Sequence, residues 1–93
     1  MDGEQFIGEA KRQLAAYLYR NKHNDKRFMG LTENKIFVSW LSKIGMNNKG
    51  LFGIDGSNDY FEICYYGREK KFVLDHYTLK KHLCIKESDD EQI

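Results

Sequence analysis

The chain has no proline, only two cysteines, and no run of eighteen apolar residues. Two cysteines are too few for the disulfide framework of a small secreted domain, and Cys64 and Cys84 are expected as free thiols, since Cys often serves as a small buried apolar side chain. Without a long apolar run there is no membrane-spanning helix to place. The start, Met1-Asp2-Gly3-Glu4, lacks the basic head and apolar stretch of a secretory signal, so a cytoplasmic location is the expectation and no membrane partner is foreseen. Nor is there an internal repeat or a low-complexity segment.

What is present is a chain of 93 residues with 41% apolar and 14% aromatic content, including six Tyr, six Phe and one Trp. That much ring exceeds what disordered chains carry, and the length suits one core. The expectation is a single compact domain over 1–86 with an acidic, frayed tail over 87–93, where Glu87, Asp89, Asp90 and Glu91 cluster. Residues 1–86 hold 15 Lys and Arg against 10 Asp and Glu, a body of +5 that attracts polyanions weakly.

Asp2 and Gln5 form a capping box, and Phe6, Ala10, Leu14, Tyr17 and Leu18 follow on one face, so an amphipathic helix is predicted from Gly3 to Lys22. Asn21, Asn24 and Asp25 supply its stop. Ile36, Phe37, Trp40, Leu41 and Ile44 recur at i, i+1, i+4, i+5 and i+8. With Thr32 as cap and Gly45 as the left-handed terminator, they predict a second helix whose Trp40, Phe37, Leu41 and Ile44 pack on Leu14 and Leu18.

Met46 to Asp59, with glycines at 50, 53 and 56, reads as a Gly-rich loop anchored by Leu51, Phe52 and Ile54, with a short strand there left open. Tyr60–Tyr66 and Lys71–Tyr77, split by Gly67-Arg68-Glu69-Lys70, predict an antiparallel β-hairpin. Phe61, Ile63 and Tyr65 share one face, and either Phe72 and Leu74 or Val73 and Tyr77 pack beside them. Thr78 to Leu83 is expected as a short C-terminal helix. The fold class is therefore α+β: two N-terminal helices, a Gly-rich loop, an antiparallel hairpin and a short C-terminal helix.

Chemistry-bearing residues are sparse. Cys64, His76, His82 and Cys84 are the candidates for a zinc site, but their spacing lacks the close pair that tetrahedral structural sites use, and no metal or cofactor is expected. Neither Cys sits at a predicted helix N-terminus that would activate it as a nucleophile. Gly50-x-x-Gly53-x-x-Gly56 lacks the strand before and helix after that a phosphate cradle requires, and Asp55 to Asp59 is too short for a twelve-residue calcium loop.

Two basic clusters remain, one around the first helix (Lys11, Arg12, Arg20, Lys22, Lys26, Arg27) and one around the hairpin and last helix (Arg68, Lys70, Lys71, Lys80, Lys81). Beside them stand Tyr17, Tyr19, Tyr60, Tyr65, Tyr66 and Tyr77, more tyrosine than one small core absorbs. Tyr and Arg dominate protein interfaces, so the foremost expectation is a non-enzymatic protein-binding regulator or inhibitor. Its candidate contacts are Tyr66, Arg68, Lys70 and Lys71 at the hairpin tip and Arg12, Tyr19 and Arg20 on the first helix. In composition the chain resembles the small Lys-, Asn- and Tyr-rich proteins that phages and mobile elements use to block a host machine.

The alternative is a nucleic-acid-binding domain, since two helices followed by a basic-tipped hairpin is similar to the winged-helix order. A third reading, a small nuclease-type toxin, takes His23, Glu33 and the arginines as an acid–base set.

Overall fold

The structure is a computed structural model that describes residues 1–22, 25–28 and 30–87. Helix α1 runs Gly3–Lys22, as the sequence predicts. Its capping box is formed: the Asp2 amide donates to Gln5 Oε1 at 3.0 Å and the Gln5 amide to Asp2 Oδ1 at 2.8 Å. Phe6, Ala10, Leu14 and Leu18, four apart, are fully buried and form the stripe that meets the rest of the chain.

Among the described residues the main architecture after the helix is a sheet, reached through short 3-10 turns. Strands β1 (Ile36–Ile44), β2 (Asn47–Ile54), β3 (Asp59–Tyr66) and β4 (Lys71–Thr78) form one antiparallel sheet in chain order. The chain is α+β, but the layout expected from the sequence is overturned at three places, two predicted helices and the Gly-rich loop.

The predicted second helix is β1, preceded by one 3-10 turn at Glu33–Lys35. A β-bulge at Ser39 shifts the register, so that Val38 faces Phe52 while Trp40 faces Leu51. The extra residue puts Ile36, Val38 and Leu41 on the helix side and Phe37, Trp40 and Ile44 on the other. Two apolar faces plus one inserted residue reproduce the spacing of a helix. Trp40, Phe37, Leu41 and Ile44 are all exposed, and of the predicted apolar face only Ile36 enters the core. Gly45, at φ 58°, terminates no helix; it opens the two-residue turn that joins β1 to β2.

The expected Gly-rich loop is mostly strand β2. Glycine stands where neighbours press on the backbone: a Cβ on Gly50 would lie 2.9 Å from Leu41 Cδ2 and 3.3 Å from the Phe6 ring. Only Asp55 to Asn58 turn the chain, with Gly56 at φ 81°.

The helix predicted over Thr78 to Leu83 does not form. Thr78 ends β4 rather than capping a helix, and 79–86 is irregular. Leu79 and Leu83 are exposed there, and a helix of under two turns with no packed face cannot offset its nucleation cost.

The hairpin is present, and its register selects Phe72 and Leu74 as the partners of Tyr65 and Ile63. The core lies between α1 and one sheet face, built on Phe52, Ile54, Phe61 and Ile63 with the helix stripe and Phe28. The predicted acidic tail beyond Glu87, and His23, lie outside the described residues. Among the described residues no helix is long and apolar enough to cross a membrane.

Candidate functional site

Strand alternation sends every second side chain to the face that α1 does not cover. Register assembles them into rows across the sheet. One row is Phe37, Gly53, Tyr60 and Tyr77; the next is Trp40, Leu51, Glu62 and Asp75. Then come Ser42, Lys49, Cys64 and Val73. Phe37, Trp40 and Tyr77 are 40%, 42% and 53% exposed, so three rings stand in solvent on one broad surface. An antiparallel sheet that packs a helix on one side ordinarily solvates the other with polar residues.

The charges on this face cancel. Lys49 Nζ sits 3.2 Å from Glu62 Oε1, and that carboxylate holds the Lys49 ammonium above its usual range. Asp75 stands directly opposite Glu62 on the neighbouring strand and makes no ion pair among the described residues. Lys71 lies at the tip, its Nζ 5.8 Å from the centre of the Tyr66 ring, a cation–π contact. Cys64 is buried in the middle of the face, and its burial pushes the thiol up, with Lys49 opposing in part.

Of the seven residues singled out from sequence, Tyr66 and Lys71 belong to this face. Arg68 and Lys70 project from the β3–β4 turn at its end, Lys70 at φ 51°. Arg68 shares a shallow recess with Ile44, Met46 and Glu69. Arg12, Tyr19 and Arg20 are exposed on α1, which lies against the opposite face, so the two predicted clusters do not meet. Arg12 is held by Glu9 through an ion pair that lowers the carboxyl's pKa and raises the guanidinium's. Phe37 and Trp40 were missed by the sequence argument, which placed them in the core. The signal that finds them is Ser39, a polar residue interrupting apolar ones where an edge strand bulges.

On the helix side, Tyr17 Oη lies 3.0 Å from His76 Nδ1, and His76 Nε2 lies 3.2 Å from Asp59 Oδ2. This hydroxyl–imidazole–carboxylate order has the form of a catalytic relay. Here Asp59 is fully buried, the His76 ring packs 4.4 Å from Phe61, and the chain of bonds ties α1 to β3 and β4. With Tyr17 donating, Nδ1 accepts and Nε2–H donates to Asp59, which satisfies a buried polar seam. His76 and Cys64 project from opposite faces of the sheet, so the candidate zinc set does not converge. Among the described residues no group of three His, Cys, Asp or Glu side chains is placed to hold a metal. Glu33 sits in the 3-10 turn, outside both constellations.

No curated protein and no solved structure matches this chain. One family model does, across residues 7–87, which spans most of α1, all four strands and the segment that follows them. The chain therefore belongs to DUF6275, a family of unknown function.

Proposed function

We propose that this chain is a non-enzymatic protein-binding domain, a regulator or inhibitor that works by occupying a partner's surface with the helix-free face of its sheet. The observation that carries this is the exposure of Phe37, Trp40 and Tyr77 on a face that no described element of the fold covers. Rings grouped on one surface and rimmed by polar residues are what protein interfaces bury, and Trp and Tyr contribute most of their binding energy. Arg68, Lys70 and Lys71 border the face and suit the steering of an acidic partner.

Exposed rings on a sheet also stack nucleic-acid bases. Against that use, Glu62 and Asp75 stand among the rings and Lys49 is spent on Glu62, so the face offers phosphates no net positive field.

The test is differential capture. Tagged parent chain and its Trp40→Ala/Tyr77→Ala variant are compared, with retained proteins identified by mass spectrometry. A protein held by the parent, weakened at least about tenfold by the two substitutions and nearly insensitive to salt, is the expected result. Retention of single-stranded RNA that falls steeply between about 50 and 200 mM salt would replace this reading with nucleic-acid binding.

A further inference from the structure

Among the described residues two apolar surfaces lie uncovered, and they match. One is the outer sheet face. The other is the segment after β4, where Leu79, Leu83 and Ile85 are 42%, 65% and 66% exposed. Lys80 and Lys81 lie between them.

Leu79 N–H donates to the Asn58 carbonyl at 2.7 Å, so the chain leaves the sheet in line with β4. From Thr78 to Lys86 it contains no Gly, Pro, Asn, Asp or Ser, the residues that reverse a chain tightly. The segment therefore carries no tight-turn signal that would fold it back as a flap, and all of residues 79–86 are exposed, so it is an arm open to another chain. Residues 79–86, extended, reach about 26 Å, enough to cross four strands spaced about 4.8 Å apart.

Charge selects the same pairing. Asp75 and Glu62 oppose each other on neighbouring strands, an arrangement that costs stability unless a cation joins it, and Lys49 answers Glu62 alone. Lys80 and Lys81 supply such a cation beside apolar side chains that suit Phe37, Trp40 and Tyr77.

We infer that two copies of this chain exchange these arms, the 79–86 segment of each lying across the outer sheet face of the other. Leu83 and Ile85 cover the exposed rings, and Lys80 and Lys81 stand beside Asp75. Two-fold symmetry makes each contact twice, which doubles a modest strip into a closed dimer. The inference rests on the reading of that face as a contact surface and adds what covers it. A partner protein would then have to displace the arm.

Sedimentation of the whole chain over a wide concentration series tests this, with emission of the single tryptophan, Trp40, as reporter. A reversible dimer whose formation shifts Trp40 emission to the blue is expected. Leu83→Ser with Ile85→Ser should raise its dissociation constant at least about tenfold and leave Tm unchanged at concentrations where the chain is monomeric, since both side chains are exposed in the single chain. Asp75→Lys should weaken it too, and adding Lys80→Asp and Lys81→Asp should restore it.

A monomer at every concentration overturns the inference, as does a dimer indifferent to these substitutions. A concentration-independent blue shift lost on changing Ile85 would place the arm on its own sheet and equally overturn it. If the chain stays monomeric yet captures a partner through Trp40 and Tyr77, only the arm exchange falls. If it dimerises through its arms and captures nothing, the regulator reading falls instead.

Discussion

The far end of the Phe37 ring covers Gly53 so closely that a Cβ on that glycine would overlap it. Gly67 is in the same position toward a different neighbour, the Met46 carbonyl of the facing turn. A ring end can swing aside whereas a backbone carbonyl cannot. Gly67→Ala should therefore cost roughly 1–3 kcal/mol, and Gly53→Ala clearly less, with the ring displaced into solvent. Urea unfolding of the two variants compares them, and an equal or reversed order would show that the ring is clamped.

Trp40 should matter little to stability. Its indole is 42% exposed on the outer face, while Phe52 and Phe61 are fully enclosed under α1. Trp40→Ala is expected to change unfolding free energy by under about 1.5 kcal/mol, against about 3–5 kcal/mol for Phe52→Ala or Phe61→Ala. Thermal unfolding that ranks Trp40 with the two phenylalanines would return it to the core.

The polar seam beneath the helix should be graded by depth. Tyr17→Phe removes one hydrogen bond at the half-buried end and should cost about 0.5–1.5 kcal/mol. Asp59→Ala leaves His76 Nε2 without its acceptor inside the fold and should cost more, about 1–3 kcal/mol beyond the lost bond. Chemical denaturation of the two variants and their double mutant checks both, and the double should fall short of the sum because the residues share His76.

Cys64 links stability to alkaline pH. Its folded pKa is raised, chiefly by burial, so the neutral thiol is favoured in the fold. The corresponding stability is fully present below the unfolded thiol's value, near about 8.5, and is lost as pH rises through the folded one. The raised Lys49 acts in the same direction at higher pH, because the folded state again holds the proton longer. Tm should decline above about pH 8.5 in the parent and decline less in Cys64→Ala. At neutral pH a thiol reagent should modify exposed Cys84 well before Cys64. A flat alkaline profile, or equal reactivity of the two thiols, would contradict the burial.

Some of this molecule is legible in the sequence alone. Helix α1 is, because its signals are local: Asp2 and Gln5 cap each other across three residues, and Phe6, Ala10, Leu14 and Leu18 recur with the helix's own period. The hairpin is, because Gly67 to Lys70 interrupts two alternating runs. Its register is not, although the structure shows that it brings Phe72 and Leu74 under the helix. The hairpin-tip residues Tyr66 and Lys71 were picked out from the sequence and do lie on the outer face, but nothing in the sequence joined them to Phe37 and Trp40.

What tertiary structure alone decided is which apolar residues are core. Residues 36–44 carry apolar side chains on both faces and one inserted residue at Ser39, so period two is erased and period 3.6 imitated. Gly50 and Gly53 looked like loop residues because the atoms that require them, on Phe6, Leu41 and Phe37, come from distant or neighbouring elements. Whether Trp40 meets Leu14 or solvent depends on the β1–β2 register. Hydrogen bonds between separate strands set that register, and so the open aromatic face came from pairing rather than from local sequence.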